Sequence, residues 1–251
     1  MPSRNHIACS RIKRKRDKPS CRCGVEEVIM FDFEELVRSR CSSRRFLPTP
    51  IPRELLTEAL TLAQLAPSNS NIQPWRLFLV EGEHLERLRE ALRAEVKANP
   101  RELAPLPASF QVYRRELGAI VYGAMGISRD DVAGRAVASE RNYEFFGAPM
   151  AGILCMHRDL GLADAVSVGM YLQTLVLGLT ARGIGTCVQA ALTTYPEVIR
   201  SELAIPEEFV ILCGLSLGYA DPAFPANHLK VPKKPVEQNV SILGPDVDQA
   251  A

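Results

Sequence analysis

Two stretches of this chain bring together residue types that could do chemistry. The first is Arg40-Cys41-Ser42-Ser43-Arg44-Arg45-Phe46, in which guanidinium groups alternate with small hydroxyl side chains. A guanidinium is a planar two-pronged donor and a hydroxyl a compact one, a set suited to a phosphate or a flat heteroaromatic ring. The same composition also describes an ordinary solvated basic loop. The second is Ala66-Pro67-Ser68-Asn69-Ser70-Asn71-Ile72-Gln73-Pro74-Trp75, bracketed by prolines and ending on the chain's one tryptophan. Its uncharged amides and hydroxyls both donate and accept, matching the carbonyls and nitrogens of a ring system. A plain loop capped by a core tryptophan reads equally well from these residues.

The commoner catalytic sets are missing. There is no Gly-x-Ser-x-Gly, no His-Glu-x-x-His and no Gly-x-x-x-x-Gly-Lys. His6, His84, His157 and His228 lie far apart, and His84 and His157 follow expected strands, as surface turn residues do. Gly183-Ile184-Gly185 starts like a dinucleotide fingerprint, but Val188 stands at the third glycine and the run leads from helix into strand, the reverse of the required order. Cys21-Arg22-Cys23, with only Cys9 nearby, lacks the paired spacing of a zinc site. No metal is expected.

The elements that must position the two clusters belong to an ordinary globular chain. Of 251 residues, 47% are hydrophobic and 24% charged, which excludes a disordered or collagen-like protein and suits one α/β domain or two compact ones. The net charge of +1 hides an asymmetry. Residues 1–29 are strongly basic, and the remainder carries 22 basic against 26 acidic residues, so the globular part gives no electrostatic case for nucleic acid. Seven scattered cysteines, with no apolar export segment ahead of them, read as reduced thiols of a cytoplasmic protein. The longest apolar stretch, 163–181, is interrupted by Asp164, Ser167, Gln173 and Thr174, so no membrane span is expected. Residues 1–29 are expected to be a disordered extension, or one preceding the true start at Met30, with the folded domain over 30–251.

Along that domain, Asp32 with Glu35 resembles a capping box that opens a short helix to about residue 39. Pro52, at a first-turn position, precedes Leu55, Leu56, Ala59, Leu60, Leu62 and Ala63 at helical spacing, until Pro67 ends the helix. The run 77–80 reads as a strand, and Leu85, Leu88, Ala91, Leu92 and Val96 as a helical stripe. Residues 100–148 are irregular, helix-permissive over 114–138, and read as an excursion that covers a site. Then come a strand at 152–156, a long buried helix at 163–182 closed by Gly183, and a strand near 185–189. A helix at 196–203 and a strand at 209–217 follow, before a proline-rich tail that must run extended.

In order and spacing, Arg40-x-Ser42-x-Arg44-x-Phe46 and Pro67-Ser68-Asn69-Ser70-Asn71-x-Gln73-Pro74-Trp75 closely resemble the FMN-dependent nitroreductase family. The similarity continues through Phe145-Phe146-Gly147-Ala148-Pro149, the run from Gly183 to Ala191, Gly218-Tyr219 and the lysine-containing tail. The resemblance implies an α+β fold, a mostly antiparallel sheet flanked by helices, in an intertwined homodimer with FMN at the subunit interface. It implies that Arg40, Cys41, Ser42 and Arg44 meet the phosphate, ribityl chain and pyrimidine edge of FMN, with Arg44 near N1. Cys41 stands where relatives often carry histidine, and Arg44 would favour the reduced cofactor by its charge.

By the same resemblance, Pro67, Ser68, Asn69 and Asn71 edge the ring from the other subunit. Val188, Gln189, Ala190 and Ala191 pass its N5 side, and Lys230 and Lys233 hold the phosphate, with Lys234 leaving the register open by one residue. The implied activity is ping-pong hydride transfer from NADH or NADPH, through FMN, to nitroaromatic compounds and also quinones. No catalytic acid or base is needed, since flavin N5 carries the chemistry. Tyr113, Tyr122, Tyr143 and Phe145 are candidates to stack on an aromatic acceptor or, equally, to pack. The alternatives on the same fold are flavin fragmentation, reductive dehalogenation, or a non-catalytic flavin-binding sensor.

Overall fold

A computed structural model describes residues 32–243; the basic segment 1–29, its Cys21 and Cys23, and the expected start at Met30 lie outside the described residues. The frame is an antiparallel sheet of four strands in the order β1-β2-β4-β3. These are β1 (Trp75–Glu81), β2 (Met150–His157), β3 (Gly185–Gln189) and β4 (Phe209–Gly218). Alternation along the strands divides the apolar residues between two faces. Trp75, Met150, Leu154, Leu215 and Leu217 belong to one core, and Val80, Ala151, Ile153, Cys155 and Ile211 to another. Buried on both faces, β2 is apolar throughout rather than alternating.

Helices complete each core. On the first face lie α2 (Arg53–Ala63) and α6 (Leu162–Thr180), supplying Leu56, Ala59, Tyr171, Leu175 and Leu179. On the second, α3 (Gly82–Ala98) and α7 (Pro196–Leu203) supply Leu85, Leu88, Leu92 and Ile199. Although α6 is long and apolar enough to cross a membrane by length and composition, here it is the central core helix, packed on α2. The tryptophan belongs to this core. Trp75 stacks on Tyr171 with centroids 4.7 Å apart, and its Nε1 donates to Gln64 Oε1 at 3.0 Å.

Most expected elements are present with shifted ends. In α1 (Phe33–Ser39), Asp32 caps by accepting from the Glu34 N–H at 3.1 Å. Pro52 is the cap of α2 rather than a residue of its first turn, and β1 is longer than residues 77–80. The excursion is more ordered than its prolines suggested, with α4 (Gln111–Ala124) and α5 (Val132–Glu140) after an irregular 99–107. Gly183, at φ +72°, turns the chain after α6 so that the Ile184 N–H reaches the Leu179 carbonyl at 3.0 Å. Among the described residues the tail carries only short 3-10 turns at Pro225–Asn227 and Val236–Gln238.

Candidate functional site

Beyond α1 the segment 40–47 runs along the outer edge of β3 as a further piece of sheet. Ser42 bridges Thr186 in parallel, and the Ser43 N–H donates to the Thr186 carbonyl at 2.9 Å. On its other side the Leu47 N–H donates to the Tyr219 carbonyl at 2.8 Å and the Asp221 N–H to the Arg45 carbonyl at 3.0 Å. This close approach explains Gly185, where an added Cβ would sit 2.7 Å from Ser43 Oγ. That hydroxyl is fully buried with no hydrogen-bond partner among the described residues.

The fixed segment opens onto a cavity of about 220 Å³. Arg40, Ser42 and Thr186 give one wall its donors; Leu172, Val176 and Val188 add apolar surface, Gln173 an amide, and no carboxylate lines it. Of the residues named from sequence, Arg40, Ser42 and Val188 therefore converge on one place. Arg44 sits beside them, with its Nη1 donating to the Ser42 carbonyl at 3.1 Å. Arg44 and then Arg40 oppose the effect of burial on Cys187, which nevertheless pushes that thiol up to about 11. The arrangement suits an electron-rich, partly anionic and flat guest.

Other expected positions have different surroundings. Cys41 donates its thiol to the Asn227 carbonyl at 3.4 Å. Gln189 is turned inward, 2% exposed: its Nε2 donates to the Asn142 carbonyl at 2.8 Å, and its Oε1 accepts from Ser216 Oγ at 2.6 Å. Only its backbone is left for a ligand. Ala190 and Ala191 start a 3-10 turn behind Val188. Lys230, Lys233 and Lys234 are all exposed, and Lys234 has its Nζ 4.4 Å from the centroid of Tyr113.

The loop with Pro67, Ser68, Asn69 and Asn71 does not line the cavity. It is tied to the start of α6, where the Asn69 N–H donates to Ser167 Oγ at 3.1 Å and Asn69 Nδ2 to Asp164 Oδ1 at 3.2 Å. Three of its residues, Ser70, Asn71 and Gln73, hold left-handed backbone. Outside glycine that conformation is uncommon and clusters at functional sites. Among the candidate aromatics, Tyr143 and Phe145 are packing residues: Phe145 is 0% exposed, and Tyr143 meets Tyr195 edge-on at 5.3 Å.

Sequence reasoning missed Asn227. Buried in the tail, its Oδ1 accepts from the Arg44 N–H at 2.6 Å, and its Nδ2 donates to the carbonyls of Arg45 at 2.8 Å and Asp221 at 2.9 Å. An amide embedded in a proline-rich tail was the available signal. Also missed was Arg141, which donates to the Arg44 carbonyl at 2.7 Å. Burial first, then the nearby Arg45, lowers its pKa, with Glu144 acting the other way. Both guanidinium groups lie over the Phe224 ring, Arg45 at 4.2 Å and Arg141 at 4.9 Å. The α6 wall could have been found from Gln173, which breaks an apolar face together with Gly169, Leu172 and Val176.

Over most of its length the chain is similar to known proteins. Over 222 residues the chain is 36% identical to a 4-nitrobenzoate reductase of Pseudomonas putida, covering 86% of this chain and 97% of that protein. To a nitrobenzene nitroreductase of Ectopseudomonas oleovorans it is 35% identical over 218 residues, 82% of this chain and 94% of that one. Its backbone is similar to the crystal structure of the FMN and NADPH-dependent nitroreductase NfnB from Sphigopyxis sp. strain HMH. The TM-score is 0.82 and the identity 31%, over 85% of this chain and all of that one. The family model described as the Nitroreductase family matches residues 37–219, from α1 to Tyr219 just beyond β4, and the chain belongs to that family.

Proposed function

We propose that the chain is an FMN-dependent NAD(P)H oxidoreductase that reduces nitroaromatic compounds, with quinones as further acceptors, by a ping-pong exchange in a homodimer. The observation that carries this is the meeting of Arg40, Ser42 and Val188 at one cavity in a chain of this family. The names of the relatives support the cofactor, the nicotinamide donor and the nitroaromatic acceptor. FMN, when bound, would supply the two-electron chemistry, which requires no catalytic acid or base from the protein.

The protein's part is binding and exclusion. Arg40, Ser42 and Arg44, with the backbone at Cys41, offer donors to the phosphate and pyrimidine edge, and Lys230 and Lys233 add positive charge from the tail. Val188, Ala190 and Ala191, with the backbone of Gln189, form the strand edge against the ring, and Leu172 and Val176 keep water from its apolar part. At about 220 Å³ the cavity is smaller than the roughly 300–1,000 Å³ of small-molecule sites. A second subunit completes it, lending Pro67, Ser68, Asn69 and Asn71 from the loop that does not line the cavity of its own chain. The stretch 30–251 is then one FMN-binding domain of a cytoplasmic enzyme.

Stopped-flow mixing of the purified protein with NADPH and with NADH tests this reading, followed by mixing with nitroarenes and quinones. The expected result is a yellow protein bleached by a nicotinamide and recoloured by a nitroarene, with parallel lines in initial-rate plots. Protein that stays colourless with added FMN would overturn the assignment. Intersecting lines would overturn the ping-pong order alone.

A further inference from the structure

A second cavity lies in the excursion, away from the segment 40–47. It measures about 770 Å³, within the roughly 300–1,000 Å³ typical of small-molecule sites. Four arginines line it: Arg114 and Arg115 on α4, Arg129 in the α4–α5 connection and Arg135 on α5. No aspartate or glutamate does. None of the four forms an ion pair with a described carboxylate, whereas Arg53, Arg89, Arg93, Arg101, Arg182 and Arg200 all do. Asp131, on the same connection, accepts from the Gly134 N–H at 2.8 Å as the cap of α5.

Arg135 is held in place without being neutralised. Its guanidinium lies over the Tyr122 ring, 5.3 Å from the centroid, and its Nη1 donates to the Arg129 carbonyl at 3.2 Å. Leu106 and Ile127 give the lining an apolar part beside that ring. Four like charges around one space repel, and a guest with two or three anionic oxygens both removes the repulsion and accepts guanidinium donors in pairs. The cavity is also joined to the first site: α4 packs on the Pro225–Asn227 turn, whose Asn227 holds Arg44, and Arg141, just beyond α5, holds the Arg44 carbonyl.

We propose that this cavity is an anion-binding subsite for a small aromatic molecule, its multi-oxygen anion met by the arginines and its ring by Tyr122, Leu106 and Ile127. Two sources of that chemistry fit, a carboxylate on the acceptor and a phosphate on the nicotinamide donor; the choice of both rests on the proposed function.

The test uses the full chain with FMN bound and the double substitution Arg114→Gln/Arg129→Gln. The probes are 4-nitrobenzoate, its neutral analogue 4-nitrobenzamide, NADPH and NADH. A fall of about tenfold in the kcat/KM ratio of nitrobenzoate to nitrobenzamide supports the subsite and identifies the carboxylate. A fall of about tenfold in the NADPH to NADH ratio supports it and identifies the phosphate. Both ratios unchanged overturn it, and so does an equal loss on every probe when Arg114→Lys/Arg129→Lys, which keeps both charges, loses as much. Calorimetric titration of the oxidised protein with 4-nitrobenzoate and with NADP+ reads the site without turnover. Weakening of either by the double substitution supports the subsite, and no change in both overturns it. Wild-type protein that binds 4-nitrobenzoate but reduces no nitroarene would refute the proposed reaction and leave the subsite standing.

Discussion

A single amide does most to hold the Arg40–Arg45 donors in place. Asn227 satisfies an N–H and two carbonyls that belong to three separate residues. Its replacement in Asn227→Ala leaves the Arg44 N–H without a partner and the Arg45 and Asp221 carbonyls with only the N–H groups of Asp221 and Phe224, at a cost of about 1–3 kcal/mol. A melting temperature lower by several degrees and weaker FMN retention on desalting are expected, and Asn227→Asp, which keeps the acceptor for Arg44, should fall between. Thiols provide a second check at this scale. Burial pushes Cys155 up to about 12, and Cys187 and Cys213 up to about 11, while Cys41 is only partly buried. In the native protein near neutral pH, Ellman's reagent should therefore lose one rapidly reacting thiol in Cys41→Ser and none in Cys187→Ser. The folded state keeps these buried protons where the unfolded chain, at about 9, has lost them. The stability they contribute is thus complete below pH 9 and declines as pH rises through 11.

Among the elements, the 67–75 loop has the most unusual backbone. Left-handed residues at 70, 71 and 73 give it a shape that regular structure does not supply, and side-chain bonds to α6 hold that shape. Ser70 is exposed and makes only a local contact with Asn69. Ser70→Gly should leave the urea midpoint unchanged or raise it, because glycine adopts this backbone freely. Ser70→Val should lower stability by about 1–2 kcal/mol, since a β-branched residue fits it poorly. Equal midpoints for the two variants would show that the loop relaxes elsewhere.

At the scale of the molecule, the most conspicuous feature is apolar surface left uncovered. Leu162, Val166 and Met170 recur at helical spacing on the outer side of α6, with Leu162 89% exposed, and α1, which packs on α6, exposes Phe33 and Val37. Monomeric proteins rarely leave contiguous patches of this kind. A second copy of the chain is the occupant the proposed function requires. Sedimentation should give twice the 27.7 kDa of one chain. Leu162→Glu/Val166→Glu should give single chains that no longer retain FMN, because the site loses its second half. Single chains that hold FMN as tightly as wild type would refute the shared site.

How much of this was legible in the sequence depended on the range of the interactions. The order of helices and strands followed from periodicity and from punctuation by Pro52, Pro67 and Gly183, because those signals act between neighbours in the chain. The Arg40–Arg45 segment was also marked by residue type. Its position was not: Ser42 meets Thr186, and Arg44 meets Asn227, across long stretches of intervening chain. The same range hid the inward turn of Gln189 toward Ser216 and Asn142, and the packing of Phe145, whose aromatic character suited a pocket wall equally well. In the excursion the run 114–138 read as helix-permissive, and the structure divides it into α4 and α5. Sequence by itself determined which residues have the chemistry to bind a flat anionic cofactor. Tertiary structure decided which of them share a cavity, because antiparallel pairing and the tail's hydrogen bonds join segments that no local pattern connects.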